Sequence, residues 1–237
     1  MQLNMTWMDR ITLFQPLDYA ALAGVFIAWL GLGWLIENAS TSKPSVSQLM
    51  AQYRREWMVQ MITRQPRIFD SQMISTLRQS TAFFASTSMI ALGGALALIG
   101  NSERLSTVVE DLALTNVPSV VWEFKMLLPL FFLTNGFLKF VWSNRLFGYC
   151  SVLMAAVPND VEDPRAPILA KKAAEINITA ARSFNRGLRS LYFALASLAW
   201  IIGPIPLAVA AVITVTIVWR REFTLLSRRI LLESDPS

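Results

Sequence analysis

Three long, predominantly apolar stretches alternate with polar segments along the chain, at residues 17–36, 81–99 and 124–142. Each has close to the 20 or so residues that an α-helix needs to cross the hydrocarbon core of a bilayer. Outside them, helical periodicity marks two amphipathic segments. One covers residues 47–64, with Leu49, Tyr53, Trp57 and Met61 repeating every four positions, and the other begins at Ile168.

A fourth apolar stretch, Leu191 to Trp219, is longer than one straight membrane helix requires. Gly203-Pro204-Ile205-Pro206 lies at its middle, and two closely spaced prolines disrupt a helix. The stretch can therefore form one long broken span or a helical hairpin. In the hairpin, the two arms would be residues 188–202 and 204–219.

The distribution of charge favours the hairpin. Basic residues concentrate in the first and third loops, whereas the second loop, residues 100–123, is acidic apart from Arg104. Because basic loops remain on the cytoplasmic side, we expect the N-terminus outside and both basic loops inside. Only a hairpin then returns the basic tail after Trp219 to the cytoplasm. We expect a multi-pass protein of the bacterial inner membrane with its C-terminus cytoplasmic.

The predicted fold is all-α. It is a polytopic transmembrane helical bundle of four to five membrane segments, extended by two amphipathic cytoplasmic helices. Residues 1–237 form a single membrane domain, because no loop is long enough to bury a core of its own.

Composition changes this picture mainly by exclusion. Hydrophobic residues make up 54% of the chain and charged residues 16%, below the quarter or so that is usual for soluble proteins. The chain has no histidine and a single cysteine, Cys150, so histidine triads, histidine-bound haem, the usual zinc sites and an internal disulfide are excluded. We therefore expect no enzymatic activity, no cofactor and no bound metal. The net charge of +5 is attributed to membrane-flanking loops, and we expect no nucleic-acid partner.

One polar stripe follows the third predicted span. Lys125, Asn135, Lys139 and Ser143 fall within about 80° of one another on a helical wheel. Polar groups at membrane depth often line a cavity for an anion, a lipid headgroup or a transported solute. In the alternative, both lysines extend to the headgroups and Asn135 bonds a neighbouring helix.

A second set of candidates lies on the predicted cytoplasmic side. These side chains can contact anionic lipids, or form a docking surface for another protein. They are Arg54, Arg55, Trp57, Arg67, Asp70, Arg145, Arg186, Arg189 and Arg221.

Five segments, in their order and spacing, resemble a known family of bacterial and plant membrane proteins, the domain of unknown function 599. They are RREWM at Arg54, RIFD at Arg67 running to FFAST, FVWSNRLFGY at Phe140, RGLRSLYFALASLAW at Arg186 and WRREF at Trp219. The resemblance covers residues 18–223 and implies a multi-span helical protein with no established activity. The positions that it marks, towards the cytoplasmic face, are Arg55, Trp57, Arg67, Asp70, Trp142, Arg145, Arg186, Arg189, Arg221 and Glu222.

These observations favour a structural or interaction protein, either an accessory subunit or a self-assembling scaffold. Its expected partners are membrane lipids and other membrane subunits, or further copies of itself. The alternative is a homo-oligomeric channel or transporter for a small solute that uses the polar stripe of the third span.

Overall fold

The structure, a computed structural model, describes residues 13–101 and 119–233. The predicted acidic loop, with Arg104, falls largely between these two ranges and so lies outside the described residues. Within the ranges there is no β-strand, and the predicted all-α fold is confirmed. The α-helices in chain order are α1 (Pro16–Glu37), α2 (Val46–Thr63), α3 (Ile68–Gly100), α4 (Ser119–Ala155), α5 (Arg165–Ser197), α6 (Pro204–Phe223) and α7 (Leu226–Leu232).

Four of the described helices are long and apolar enough to cross a membrane: α1, α3, α4 and the segment Pro204–Leu232. Both α3 and α4 also extend well beyond the apolar stretches that the sequence contains. The 33 residues of α3 correspond to about 50 Å, against the roughly 30 Å of a bilayer core. The polar first part of α3 and the last part of α4 therefore project out of any membrane that the apolar parts cross.

The chain reverses direction between α5 and α6. A 3-10 turn, Leu198–Ile201, ends α5, and α6 begins at Pro204. Ser47 hydrogen-bonds both Asn185, far back in α5, and Glu222, near the end of α6. In one straight helix these two residues would lie about 55 Å apart. The last apolar stretch thus has the form of a hairpin. Its turn contains Gly203, and Pro204 and Pro206 follow in the first turn of α6.

Two clusters of buried side chains form the core. One lies around Val25, Phe132, Phe193 and Leu207, where α1, α4, α5 and α6 meet. The other lies around Met58, Ile74, Phe147 and the alanines of α5, where α2, α3, α4 and α5 meet. We call the half of the molecule with the first cluster the apolar half, and the half with the second the polar end.

Alanine and glycine allow α4 and α5 to approach closely. Ala170, Ala173 and Ala180 on one face of α5 are completely buried. A Cβ atom added at Gly187 would lie 2.7 Å from the ring of Phe140, which is itself fully buried. Such a distance is far below van der Waals contact, so only glycine fits at this crossing.

The amphipathic helix α2 has a different buried face from the one that its period of four predicts. Leu49 and Met61 are buried as expected, but Tyr53 is 46% exposed and Met58 takes its place in the core. The prediction was wrong at Tyr53 because the period of a helix is 3.6 residues, so a repeat of four drifts around the cylinder.

Candidate functional site

The conspicuous polar groups of the molecule gather at the polar end. There the end of α1, the whole of α2, the first turns of α3, the last turns of α4 and the first part of α5 lie together with the end of α6. Six of the nine residues of the predicted docking set lie on these elements, Arg67 directly precedes α3, and Arg186 and Arg189 lie further along α5. The structure therefore brings them into one region, and it shows what each of them contacts.

Glu37, the last residue of α1, holds two arginines of α5. Arg186 Nε donates to Glu37 Oε1 over 2.8 Å, and a second guanidinium nitrogen of Arg186 donates to Oε2. Arg189 Nη2 donates to Glu37 Oε1 over 2.7 Å. The Arg189 side chain is only 7% exposed and that of Glu37 is 23% exposed. This clamp fixes the end of α1 against the middle of α5.

Asp70, in the first turn of α3, is 1% exposed and joins α3 to α2. Its Oδ1 accepts from Trp57 Nε1 over 2.7 Å and also from the guanidinium of Arg64. Arg67 is bound to backbone instead. It donates to the carbonyl oxygens of Val157 at 2.7 Å and Pro158 at 2.8 Å, which ties α3 to the loop after α4.

Arg54 and Arg55 connect α2 with α5, but in different ways. Arg55 forms an exposed ion pair with Glu175 at 2.7 Å. The hydrogen bond from Arg55 lowers the pKa of Glu175, with burial opposing the shift. Arg54 points to the amide of Asn177 and donates to its oxygen. Burial lowers the pKa of the Arg54 guanidinium, which has no carboxylate beside it among the described residues.

The remaining predicted docking residues lie nearer the surface. Arg145 Nε donates to the hydroxyl of Tyr149 one turn further along α4, over 2.7 Å. Arg221 Nη1 donates to the hydroxyl of Tyr192 across the hairpin, over 2.9 Å. Both arginines are exposed. Neither forms an ion pair with a carboxylate among the described residues.

Glu222 caps the start of α2. Its Oε2 accepts from the backbone N–H of Ser47 over 3.1 Å, and both of its carboxylate oxygens lie 3.1 Å from the Ser47 hydroxyl. A carboxylate beside the N-terminus of a helix is favourable, because the N–H groups there have no partner within the helix. The conspicuous acid of the WRREF segment thus fixes α6 to α2.

The polar stripe of α4 faces α5 at two of its four positions. Asn135 Oδ1 accepts from Ser190 Oγ over 3.0 Å, and Ser143 Oγ donates to the Ala180 carbonyl over 2.7 Å. The Lys139 carbonyl accepts from Ser183 over 3.0 Å. The bond of Asn135 matches that part of the alternative in which Asn135 bonds a neighbouring helix.

Lys125 lies apart from the rest of the stripe. It is 8% exposed and sits in the apolar half with its ammonium group 4.8 Å from the centre of the Trp122 ring. The four stripe residues are therefore not gathered around one space, and none of them lines any of the cavities described below.

Two of the cavities at the polar end are lined by residues of the predicted docking set. The larger, of about 710 Å³, lies between α3 and α4 and is lined by Arg67, Asp70, Arg78 and Asn144, among others. The smaller, of about 350 Å³, lies between α2, α3, α5 and α6 and is lined by Arg54, Arg182, Arg221 and Glu222, among others. Within the described residues no group of three or more acidic, cysteine or histidine side chains is arranged to hold a metal ion.

Sequence reasoning missed the partners of several of these residues. Glu37, Ser47 and Asn177 accept or donate the bonds that organise the polar end, yet none of them stands out by pattern. The sequence contains one indication for Glu37. It is an acidic residue that directly follows an apolar span, in a chain whose two amphipathic helices are basic. For Ser47 and Asn177 the sequence offers none.

The helices and the organised polar end define a multi-span α-helical membrane protein. The chain belongs to the family described as Protein of unknown function, DUF599, whose model matches residues 20–226. The predicted membership is thereby confirmed. No curated protein and no solved structure gives a significant match to the chain.

Proposed function

We propose that this protein is a structural component of the bacterial inner membrane that assembles with a second copy of itself through the outer face of α3. The observation that carries the proposal is a face of small residues on the membrane-length part of α3, directed away from the rest of the protomer. The proposal assigns the chain no catalytic step.

The small face is opposite to the face with which α3 contacts α4. Ser88 and Ala95 are buried at 1% and 7% exposure, whereas Ser86, Gly93 and Ala97 are exposed. At 100° per residue the latter three fall within about 40°, roughly 180° from the buried pair. Gly93 and Ala97 are four apart, the small-xxx-small spacing at which membrane helices approach closely.

The exposure of α3 supports an external partner. Only 11% of its apolar segment is buried in the protomer, against 39% for that of α4. A Cβ atom added at Gly93 or Gly94 would meet no atom within 4 Å. A helix that faces only lipid has no need of small residues, because lipid chains are as apolar as leucine.

The alternative, a channel lined by the stripe of α4, has less support. Asn135 and Ser143 already use their side chains in bonds to α5, and Lys125 lies in the apolar half. A solute path along this stripe would have to replace those bonds. Assembly through α3 requires no rearrangement of the protomer.

The proposal includes an orientation in which the polar end faces the cytoplasm and the N-terminus lies outside. The arginines of α2, of α5 and of the end of α6 all lie at the polar end, as the retention of basic segments in the cytoplasm requires. A reporter enzyme that is active only in the cytoplasm, fused after Ser237, should be active. Activity only of a periplasmic reporter would refute this orientation.

Disulfide crosslinking tests the assembly itself. The one native cysteine, Cys150, is buried, so Cys150→Ala gives a background without thiols. In that background Ala97→Cys should crosslink two copies in native membranes, because it lies on the small face. Ser88→Cys is the matched control: it is on the same helix but faces α4, and it should form no disulfide between copies.

A bulky substitution gives the second test. Gly93→Leu should reduce the mass of the particle extracted in a mild detergent to that of a single chain. Gly31→Leu is the control, since an added Cβ there also meets no atom within 4 Å. A particle of unchanged mass in Gly93→Leu, together with no crosslink at Ala97→Cys, would refute self-assembly through α3. The wild-type particle could instead contain a different protein that is absent from the Gly93→Leu particle. That result would make the chain an accessory subunit of this protein and not a partner of a second copy.

A further inference from the structure

A small cavity at the polar end collects positive charge from three helices. It has a volume of about 350 Å³, and Arg54 of α2, Arg182 of α5 and Arg221 of α6 line it. Glu222 is its only acidic lining residue among those described. The lining therefore carries three guanidinium groups and one carboxylate.

The carboxylate offsets only one of these three positive charges. Both of its oxygens lie 3.1 Å from the Ser47 hydroxyl, and one also accepts from the Ser47 backbone N–H. It makes no ion pair with any arginine in the described part of the chain. Glu222 thus serves the start of α2, and the charge of the cavity remains positive.

Arg54 is the least exposed of the three arginines. It is partly buried, and its hydrogen-bond partner is the neutral amide oxygen of Asn177. By contrast, Arg55, the next residue, reaches a carboxylate. Buried charges in proteins are normally paired, because removal from water is costly without a counter-ion. A partly buried guanidinium beside a cavity and lacking a counter-ion indicates that an anion occupies the cavity.

We infer that this cavity binds a phosphate group, held by Arg54, Arg182 and Arg221. A guanidinium offers a planar fork of N–H donors that matches the oxygens of phosphate. The lining also has the hydroxyl group of Ser227. The volume is at the lower end of the range of about 300–1,000 Å³ for small-ligand sites, which suits a headgroup or a small phosphorylated solute.

The phosphate has two possible sources. Arg221 directly follows the apolar part of α6 and is exposed, so the headgroup of an anionic phospholipid can reach the cavity from the side of the bundle. A free phosphorylated solute would enter from the aqueous side. The inference concerns the cavity of a single chain, so it does not depend on the assembly proposed through α3.

Binding to the purified full-length protein in an uncharged detergent distinguishes these sources. The probes are inorganic phosphate and short-chain phosphatidylglycerol, followed by the rise in unfolding temperature and by native mass spectrometry. We expect at least one probe to bind the wild type, and Arg54→Gln to weaken that binding about tenfold or more, because a charge-assisted hydrogen bond to the phosphate is lost. Arg145→Gln, an exposed arginine outside the cavity, should change it less than twofold.

If Arg54→Gln fails to fold, Arg182→Gln provides the test instead. Arg182 is exposed and forms no hydrogen bond to another helix in the described part of the chain, so its replacement should leave the fold intact. If inorganic phosphate binds and its binding depends on these arginines, the cavity is a site for a phosphorylated solute. Dependence with phosphatidylglycerol alone supports a headgroup site. If neither probe binds, or if Arg54→Gln, Arg182→Gln and Arg145→Gln all weaken binding equally, the inference is wrong.

Discussion

The clamp at Glu37 offers a sharp test of how the polar end is held together. Replacing Glu37 by Gln keeps the shape of the side chain but removes the charge that both Arg186 and Arg189 contact. The two arginines differ in burial, since their side chains are 48% and 7% exposed. The loss of stability should therefore come mainly from Arg189, whose buried charge is left without a counter-ion.

The expected magnitudes follow from that difference. Removing one partner of a buried ion pair costs about 3–5 kcal/mol, because the other charge stays buried and uncompensated. We expect Glu37→Gln to lower the free energy of unfolding by about 3 kcal/mol. Arg186→Gln removes only a half-exposed partner and should cost about 0.2–1 kcal/mol. Adding Arg189→Met to Glu37→Gln should restore stability, since the unpaired charge is then gone.

Reversible unfolding in mixed micelles, with the helical signal followed as the denaturing detergent increases, gives these free energies. The double-mutant cycle of Glu37 and Arg189 separates their coupling from other effects. Equal small losses for Glu37→Gln and Arg186→Gln would show that Arg189 is not effectively buried. A double mutant that is less stable than Glu37→Gln alone would refute the reasoning outright.

Two further predictions concern packing and pH. Gly187→Ala should cost about 1–3 kcal/mol in the same unfolding assay, because its Cβ would lie 2.7 Å from the ring of Phe140; an unchanged stability would contradict this close crossing. The Arg55 pair lowers the pKa of Glu175 below its ordinary 4.5. The small stabilisation by this ion pair should thus be complete at neutral pH and lost as the pH falls below about 4.5. Arg55→Gln should remove this contribution to the pH dependence of the free energy of unfolding. The same dependence of stability on pH in the wild type and in Arg55→Gln would refute this prediction.

Most of the fold could be predicted because membrane helices are specified locally. The apolar runs fix α1, α3 and α4, and the two prolines after Gly203 indicate the reversal. The polar turns of α3 before Thr81 are helical because they pack against α2 and α4, a tertiary reason that periodicity only partly reveals.

The candidate site was predictable as a set of residues but not as a set of roles. Arginines at the ends of membrane helices have the same appearance in sequence whether they face lipid, a partner or an internal acid. Arg189 and Arg67 are bound within the protomer, whereas Arg221 is exposed. Only long-range contacts decide between these roles, and partners such as Asn177 carry no local signal.

These roles change where a function should be sought. Had the conspicuous arginines been free, docking at the polar end would have been the simplest explanation for them. Instead, most of them hold helices together, so their replacement should unfold the polar end and not merely detach a partner. What remains unused by the fold is the small face of α3 and the positive charge around Arg54. The first is suited to another helix and the second to an anion.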